Sequence, residues 1–217
     1  MGEKPGKFIV LEGMDGSGKG EVLRIVRAWL PVELPDHQFV FTFEPGGTEV
    51  GNEIRAILQK NRDHDIHVVA DVLLFLASRV EHLSKLIIPA IEDGTDVLCD
   101  RYEASTNAFQ IHGREHREQA SLLSRLNNLL RIKKPDIYIL LDQEPAISRE
   151  RANQGRVEAK SRFDVKPLDF YIRVRDAYLD FMANCNSRIV YVGPAKTPDQ
   201  VADEVMTHLR EFFSEDK

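Results

Sequence analysis

One octapeptide constrains this chain more than any other segment: Gly13-Met14-Asp15-Gly16-Ser17-Gly18-Lys19-Gly20. An apolar run at residues 8–11 precedes it, and Val22, Ile25, Val26, Trp29 and Leu30 follow it at helical spacing. Strand, glycine-rich turn and amphipathic helix in that order are the setting of a phosphate-binding loop. The glycines let successive backbone N–H groups converge on phosphate oxygens, and the helix opening near Lys19 adds its positive end. Lys19 is placed to reach the terminal phosphates of a nucleotide cofactor, and residues 13 to 20 are its candidate cradle. The last position departs from the pattern. A Ser or Thr there would offer its hydroxyl to Mg²⁺, and Gly20 has no ligand atom. Either the metal is held by carboxylates and water, or the site has lost metal-dependent chemistry. Mg²⁺ keeps several waters and needs only one or two carboxylates. Asp15 in the loop and Asp100 are the candidates.

Further short apolar runs lie at 39–41, 97–99, 137–141 and 189–192, each followed by polar, Gly or Pro residues. Each reads as a buried strand, with helical patterns between them. The alternation predicts an α/β fold with a parallel sheet and helices on both faces. In such a sheet ligands sit beyond the carboxyl ends of the strands, where Asp100 lies. The final helix is predicted to open at Thr197-Pro198-Asp199-Gln200, with an N-cap, a proline in the first turn and a capping-box glutamine. A stretch at 149–162 carries Arg149, Arg151, Arg156, Lys160 and Arg162 with almost no apolar residue. It reads equally as a solvated helix end or as a flap that brings cations to an anion. The 217 residues fit one domain and leave no room for another.

Composition removes several classes. Two distant cysteines, Cys99 and Cys185, make no disulfide framework and point to a reducing, cytoplasmic setting. The run at 8–11 is too short for a membrane span. A net charge of −6 argues against nucleic acid as a partner, but not against a small phosphate ester in a local basic pocket. His112-Gly113-Arg114-Glu115-His116 matches a zinc-peptidase pattern literally. The match is short, contains a glycine and sits in a polar segment, so a surface loop or helix start is expected there. His64 and His67 are expected to be solvated.

The acceptor side is carried by three segments. Residues 42–48 follow the second strand, residues 100–110 follow the third, and 73–79 lie on the long helix between them. That helix has an expected core stripe of Val69, Val72, Leu73, Leu76, Val80, Leu83 and Ile87. Phe75 and Arg79, four apart, share a neighbouring face, a combination that suits a planar heterocycle. Leu74, Leu86 and Ile88 fall off the stripe, so the helix is expected to be buried on more than one side, with a subunit interface as one explanation.

Together FIVLEGMDGSGK at 8–19, EPGGT at 44–48, LLFLASR at 73–79, DRYEASTNAFQ at 100–110 and PDIYILLD at 135–142 resemble the thymidylate kinase family. The resemblance covers most of the chain. It implies a nucleoside-monophosphate kinase fold with a five-stranded parallel sheet, transfer of the ATP γ-phosphoryl group to dTMP with Mg²⁺, and a homodimer. It implies that Phe75 stacks on thymine, Arg79 contacts its edge and Arg101 grips the acceptor phosphate. Glu44, Thr106 and Phe109 then belong to the acceptor pocket, with Asp15 near the sugar and metal and Asp100 near the metal. The arginine-rich stretch matches the family's lid, at about 149–165. This phosphate loop contains no arginine, which implies a catalytic arginine from the lid: Arg156 or Arg162, with Arg149 and Arg151 behind. Gly20-Glu21, Phe43 and Phe109 depart from common family residues. They keep open a different acceptor such as dUMP, or a nucleotide-binding homologue with weakened metal-dependent catalysis.

Overall fold

A computed structural model of the chain describes residues 4–154 and 166–214. In chain order the elements are β1 (Phe8–Gly13), α1 (Lys19–Glu33), β2 (Phe39–Phe43), α2 (Glu49–Gln59), α3 (Val68–His82), α4 (Ile88–Glu92), β3 (Asp96–Asp100), α5 (Glu103–Ser105), α6 (Ala120–Leu129), β4 (Ile137–Asp142), α7 (Pro145–Gln154), α8 (Leu168–Met182), β5 (Ser187–Tyr191) and α9 (Pro198–Ser214). A π-helical segment, Leu83–Ile87, joins α3 to α4, and a second, Thr106–Gly113, continues α5.

The strands form one five-stranded sheet in the order β2-β3-β1-β4-β5, every pairing parallel. The chain winds from β1 to one side and then returns to the other. The crevice at the carboxyl end of β1 is therefore the topological switch point where ligands bind in such sheets. Alternation along β1 sends Phe8 and Val10 to one face and Ile9 and Leu11 to the other. The first pair packs with Tyr171, Val174 and Tyr178 of α8, the second with Val22 and Val26 of α1 and Val205 and Leu209 of α9. β1 and β4 are buried along their whole length, as strands covered on both faces must be. β2 and β5 are less so. Ile189 and Tyr191 are each 47% exposed, because β5 is an edge strand with no neighbour on one side.

The expected stripe on α3 is corrected in two positions. Leu73 and Val80 are exposed, while Phe75 and Arg79 are buried with Val72, Leu76, Leu83 and Ile87. The helix packs against α2 and the Thr106–Gly113 segment. Its inward arc is therefore wider than, and rotated from, the one that hydropathy alone marks. The apolar residues Leu73 and Val80 of α3, and Ile88 at the start of α4, are left exposed. The capping box of α9 is formed as expected: Thr197 N donates to Gln200 Oε1 at 2.9 Å and Gln200 N to Thr197 Oγ1 at 3.3 Å. Residues 112–116 are not a plain surface loop. Gly113 is buried as the end of the π-helical segment, and a Cβ there would stand 2.7 Å from the Phe170 ring of α8. His64 and His67 are exposed.

Entry into β1 depends on close backbone contact. Gly6 N donates to Ile91 O at 2.8 Å, and a Cβ at Gly6 would fall 2.1 Å from the carbonyl oxygen of Thr95. Backbone cannot yield as a side-chain tip can, so Gly6→Ala is expected to destabilise the chain by about 1–3 kcal/mol. Urea unfolding checks this, and an unchanged midpoint would contradict it.

Candidate active site

The loop after β1 lies against α7. Gly16 has φ of 81° and Gly18 φ of 82°, conformations that favour glycine. A Cβ on Gly16 would come within 2.0 Å of Ser148 O, so the loop reaches its shape only without a side chain there. The Glu21 and Val22 N–H groups are taken by Gly18 O at 3.1 Å as α1 begins. Met14 turns its side chain into the apolar core, so only its backbone is available to a ligand. Lys19 Nζ donates to Asp100 Oδ1 at 2.5 Å. Burial and the nearby Arg101 charge pull the Lys19 pKa down, opposed by Asp100. Burial works to raise the Asp100 pKa, but Lys19 and Arg101 outweigh it and hold this carboxylate below its ordinary range.

Register brings Asp100 level with Leu11 of β1 and Phe43 of β2. The next residue, Arg101, has φ of 69°, and its N–H bonds Leu11 O at 3.0 Å. Its guanidinium donates to Asp15 Oδ1 at 2.7 Å, Ser105 Oγ at 3.0 Å and Tyr178 OH at 3.1 Å, and lies 5.1 Å over the Phe109 ring. Beneath it is Glu12, fully buried. Glu12 Oε1 accepts from Tyr102 N at 2.8 Å and Ser105 N at 3.2 Å, and Oε2 from Ser105 Oγ at 2.6 Å and Tyr178 OH at 3.2 Å. Burial pushes the Glu12 pKa up, against the Ser105 bond and the Arg101 charge.

A second buried network stands where α3 meets the segment after β2. Arg79 Nε donates to Glu44 Oε2 at 2.8 Å and Nη2 to Thr106 Oγ1 at 2.9 Å, and the guanidinium lies 4.7 Å over the Tyr102 ring. His82 pairs with Glu44 Oε1 at 3.2 Å and with Thr42 Oγ1 at 2.7 Å. Burial opposes the charge on Arg79, but Glu44, with Tyr102 and Glu103 adding to it, outweighs this and keeps its pKa above the usual arginine range. Arg79 Nη1 remains buried without a partner. Both networks open into one cleft of about 280 Å³, lined by Asp15, Lys19, Glu44, Phe75, Arg79, Asp100, Arg101, Thr106 and Phe109 among others.

This arrangement meets its counterparts in known proteins. The family model for thymidylate kinase matches residues 11–205. The chain belongs to the thymidylate kinase family. It is 35% identical to the thymidylate kinase of Maridesulfovibrio salexigens, over 96% of this chain and 97% of the relative. It is also 35% identical to that of Neisseria meningitidis serogroup B, over 95% of this chain and 98% of the relative. The crystal structure of thymidylate kinase from Ehrlichia chaffeensis shares the fold with a TM-score of 0.74, at 29% identity, across 94% of this chain and 100% of that one. The fold is thus the P-loop nucleoside-monophosphate kinase fold, and the chain is a phosphotransferase.

Within this family frame, every acceptor-side residue singled out from the sequence lines the same cleft, as do Asp15 and Asp100. Arg156 and Arg162 lie outside the described residues. Arg149 and Arg151 stand on α7 outside the cleft lining, and Arg149 donates to Lys166 O at 3.3 Å. In the 112–116 segment His116 Nδ1 pairs with Glu118 Oε1 at 3.4 Å, and Glu115 Oε2 with Arg173 Nη2 at 3.5 Å. Sequence reasoning missed Glu12, Arg27, Arg55, His82, Gln110 and Tyr178. For Glu12 a signal was present: strand alternation puts it on the face of Phe8 and Val10, pointing inward, so it had to be a satisfied buried acid.

Glu12→Ala would leave four donors facing a void. It is expected to lower stability by about 3–5 kcal/mol, with Glu12→Gln losing less because its carbonyl oxygen still accepts. Denaturant unfolding of both variants measures this, and an alanine variant as stable as the parent would refute the role given to Glu12.

Proposed function

We propose that this chain transfers the γ-phosphoryl group of ATP to dTMP, giving dTDP and ADP. The observation that carries the reading is one cleft holding two sets of groups. One set is Lys19 and Arg101, cations suited to phosphates, beside Asp15 of the glycine loop. In the other set Phe75 offers an aromatic face and Arg79 a buried N–H with no acceptor. A pyrimidine stacked on Phe75 with a carbonyl toward Arg79 Nη1 would satisfy that donor. Thr106 and Glu44 fix the arginine so that only this edge remains available.

The acceptor is already an anion, so no strong base is needed and the protein acts by placing and neutralising charge. A phosphate oxygen of dTMP attacks the γ-phosphorus, the bond to the β-bridging oxygen breaks, and ADP departs with that electron pair. The loop and Lys19 hold the β and γ phosphates. Arg101 is held in place by Asp15, Ser105 and Tyr178 before substrate arrives, which limits reorganisation at the moment of transfer. Arg156 and Arg162 retain the lid role that the family pattern assigns them, with residues 149–165 as the lid of a single domain.

The residues present fit a Mg²⁺ held mainly by substrate phosphates and water. Asp100 and Asp15 each use Oδ1 for a cation and show no partner for Oδ2 among the described residues. When bound, the ion neutralises charge between the β and γ phosphates. A homodimer that covers Leu73, Val80 and Ile88 fits the exposure of these residues. Two free cysteines, with the Cys99 pKa raised by burial, suit a reducing, cytoplasmic setting. Among the described residues no helix is long and apolar enough to cross a membrane.

An ADP-release assay across dTMP, dUMP and dCMP, with and without Mg²⁺, tests the reading. dTMP is expected to be preferred and chelation to stop turnover; preference for another monophosphate would overturn it. Lys19→Ala and Arg101→Ala are each expected to lower kcat by about 10²–10³. Near-native turnover in either would remove its assigned role.

A further inference from the structure

The cleft lining carries five cations, Lys19, Arg27, Arg55, Arg79 and Arg101, against three carboxylates, Asp15, Glu44 and Asp100. Three cations are matched one to one: Lys19 with Asp100, Arg101 with Asp15 and Arg79 with Glu44. Arg55 donates to Pro45 O at 2.8 Å and lies 5.0 Å over the Phe43 ring. Arg27 differs from all of these. Among the described residues it has no hydrogen bond and no ion pair, and its Nε is buried without an acceptor. An unpaired buried donor is costly, so a guanidinium kept in this condition needs a reason.

Its position supplies one. Arg27 stands on α1 about two turns beyond Lys19, and helical side chains lean toward the N-terminus, here toward the phosphate loop. Its guanidinium lies 5.6 Å over the Phe41 ring. Stacking occupies only the flat face of a guanidinium and leaves the N–H edge free to bond. Its charge is felt by Asp100, so its field reaches the carboxyl end of β3. α1 covers the face of the sheet that holds Ile9 and Leu11, whereas Arg101 is braced by Tyr178 on the other face. The two guanidiniums approach the carboxyl edge from opposite faces. After these three pairings Arg27 keeps a positive charge that no carboxylate of the lining matches.

We propose that Arg27 binds the 5′-phosphate of the acceptor nucleotide, from the α1 side of the cleft, as the partner of Arg101 on the other side. The inference rests on the nucleoside-monophosphate kinase reading above and adds to it a phosphate-binding residue that no pairing in the cleft accounts for. It makes Arg27 a determinant of selection for a monophosphate over its nucleoside.

Calorimetric titration of the full chain with dTMP and with thymidine separates phosphate binding from base binding. Arg27→Met is expected to weaken dTMP about tenfold to a hundredfold and to leave thymidine within about twofold. Arg27→Lys should recover part of the loss, because the charge returns without the fork of N–H donors. In steady-state kinetics the KM for dTMP should rise while that for ATP stays unchanged. Unchanged dTMP affinity would overturn the proposal. So would an equal loss for thymidine, which would show that Arg27 serves only to pack on Phe41, or a rise confined to the KM for ATP. If the parent chain prefers another monophosphate, the acceptor reading above fails. The same titration with that monophosphate and its nucleoside still decides the role of Arg27.

Discussion

The site depends on a carboxylate that touches no substrate in the proposed mechanism. Glu12 stands one residue before the end of β1 and gathers the backbone N–H groups of Tyr102 and Ser105 together with the hydroxyls of Ser105 and Tyr178. A buried acid needs such partners, since an unpaired one would be driven to neutrality or out of the core. Satisfying Glu12 forces the chain to turn sharply after Asp100. That turn puts Arg101 at a positive φ, a conformation costing about 1–2 kcal/mol for a residue with a Cβ. The same contacts that impose the strain hold its guanidinium beside Asp15. The core therefore orients the guanidinium that the proposed mechanism gives to the acceptor phosphate, and the phosphate loop of β1 and the arginine after β3 become a single unit.

The charges follow a similar logic. Among the described residues, three of the cations that the proposed mechanism uses are each braced by a carboxylate: Lys19 by Asp100, Arg101 by Asp15, Arg79 by Glu44. The overall charge of −6 and the cationic cleft are then compatible, because the acids that neutralise these cations are the acids that orient them. A phosphate entering the cleft meets donors already fixed in direction, so little ordering remains to be done on binding. Arg79 shows the same economy at the base end. Two of its nitrogens are spent on Glu44 and Thr106, and the third is left to report whether a carbonyl is present.

Much of this was legible in the amino-acid order. Phosphate-loop glycines, the Thr197 cap and the run of parallel strands are local signals, and local chemistry decides them. So is Asp100, which strand position alone sends to the ligand edge. The α3 stripe was misread at Leu73 and Val80 because hydropathy cannot tell which of two apolar arcs faces its own domain. Phe75 and Arg79 were recognised by type and spacing, but the burial of the arginine was not, since it depends on Glu44 arriving from 35 residues away. Arg27 and Arg55 were missed for the same reason. Each looks like an ordinary solvent-facing helix cation until β2 and α2 close around the cleft.

The loss of a hydroxyl at Gly20 looks different in this light. A Cβ at that position would have nothing within 4 Å, so packing does not require glycine there. Gly16 is the contrast, where Ser148 O leaves no room for a side chain. The absence at Gly20 is thus a change in chemistry that the fold tolerates without repacking. In the proposed mechanism Asp100 is the group on which the consequence falls. Lys19 holds one of its oxygens, and the charges of Lys19 and Arg101 keep it ionised below the usual carboxylate range. A metal at this edge would find its protein charge on that carboxylate and on Asp15, and would take the rest of its ligands from water and phosphate.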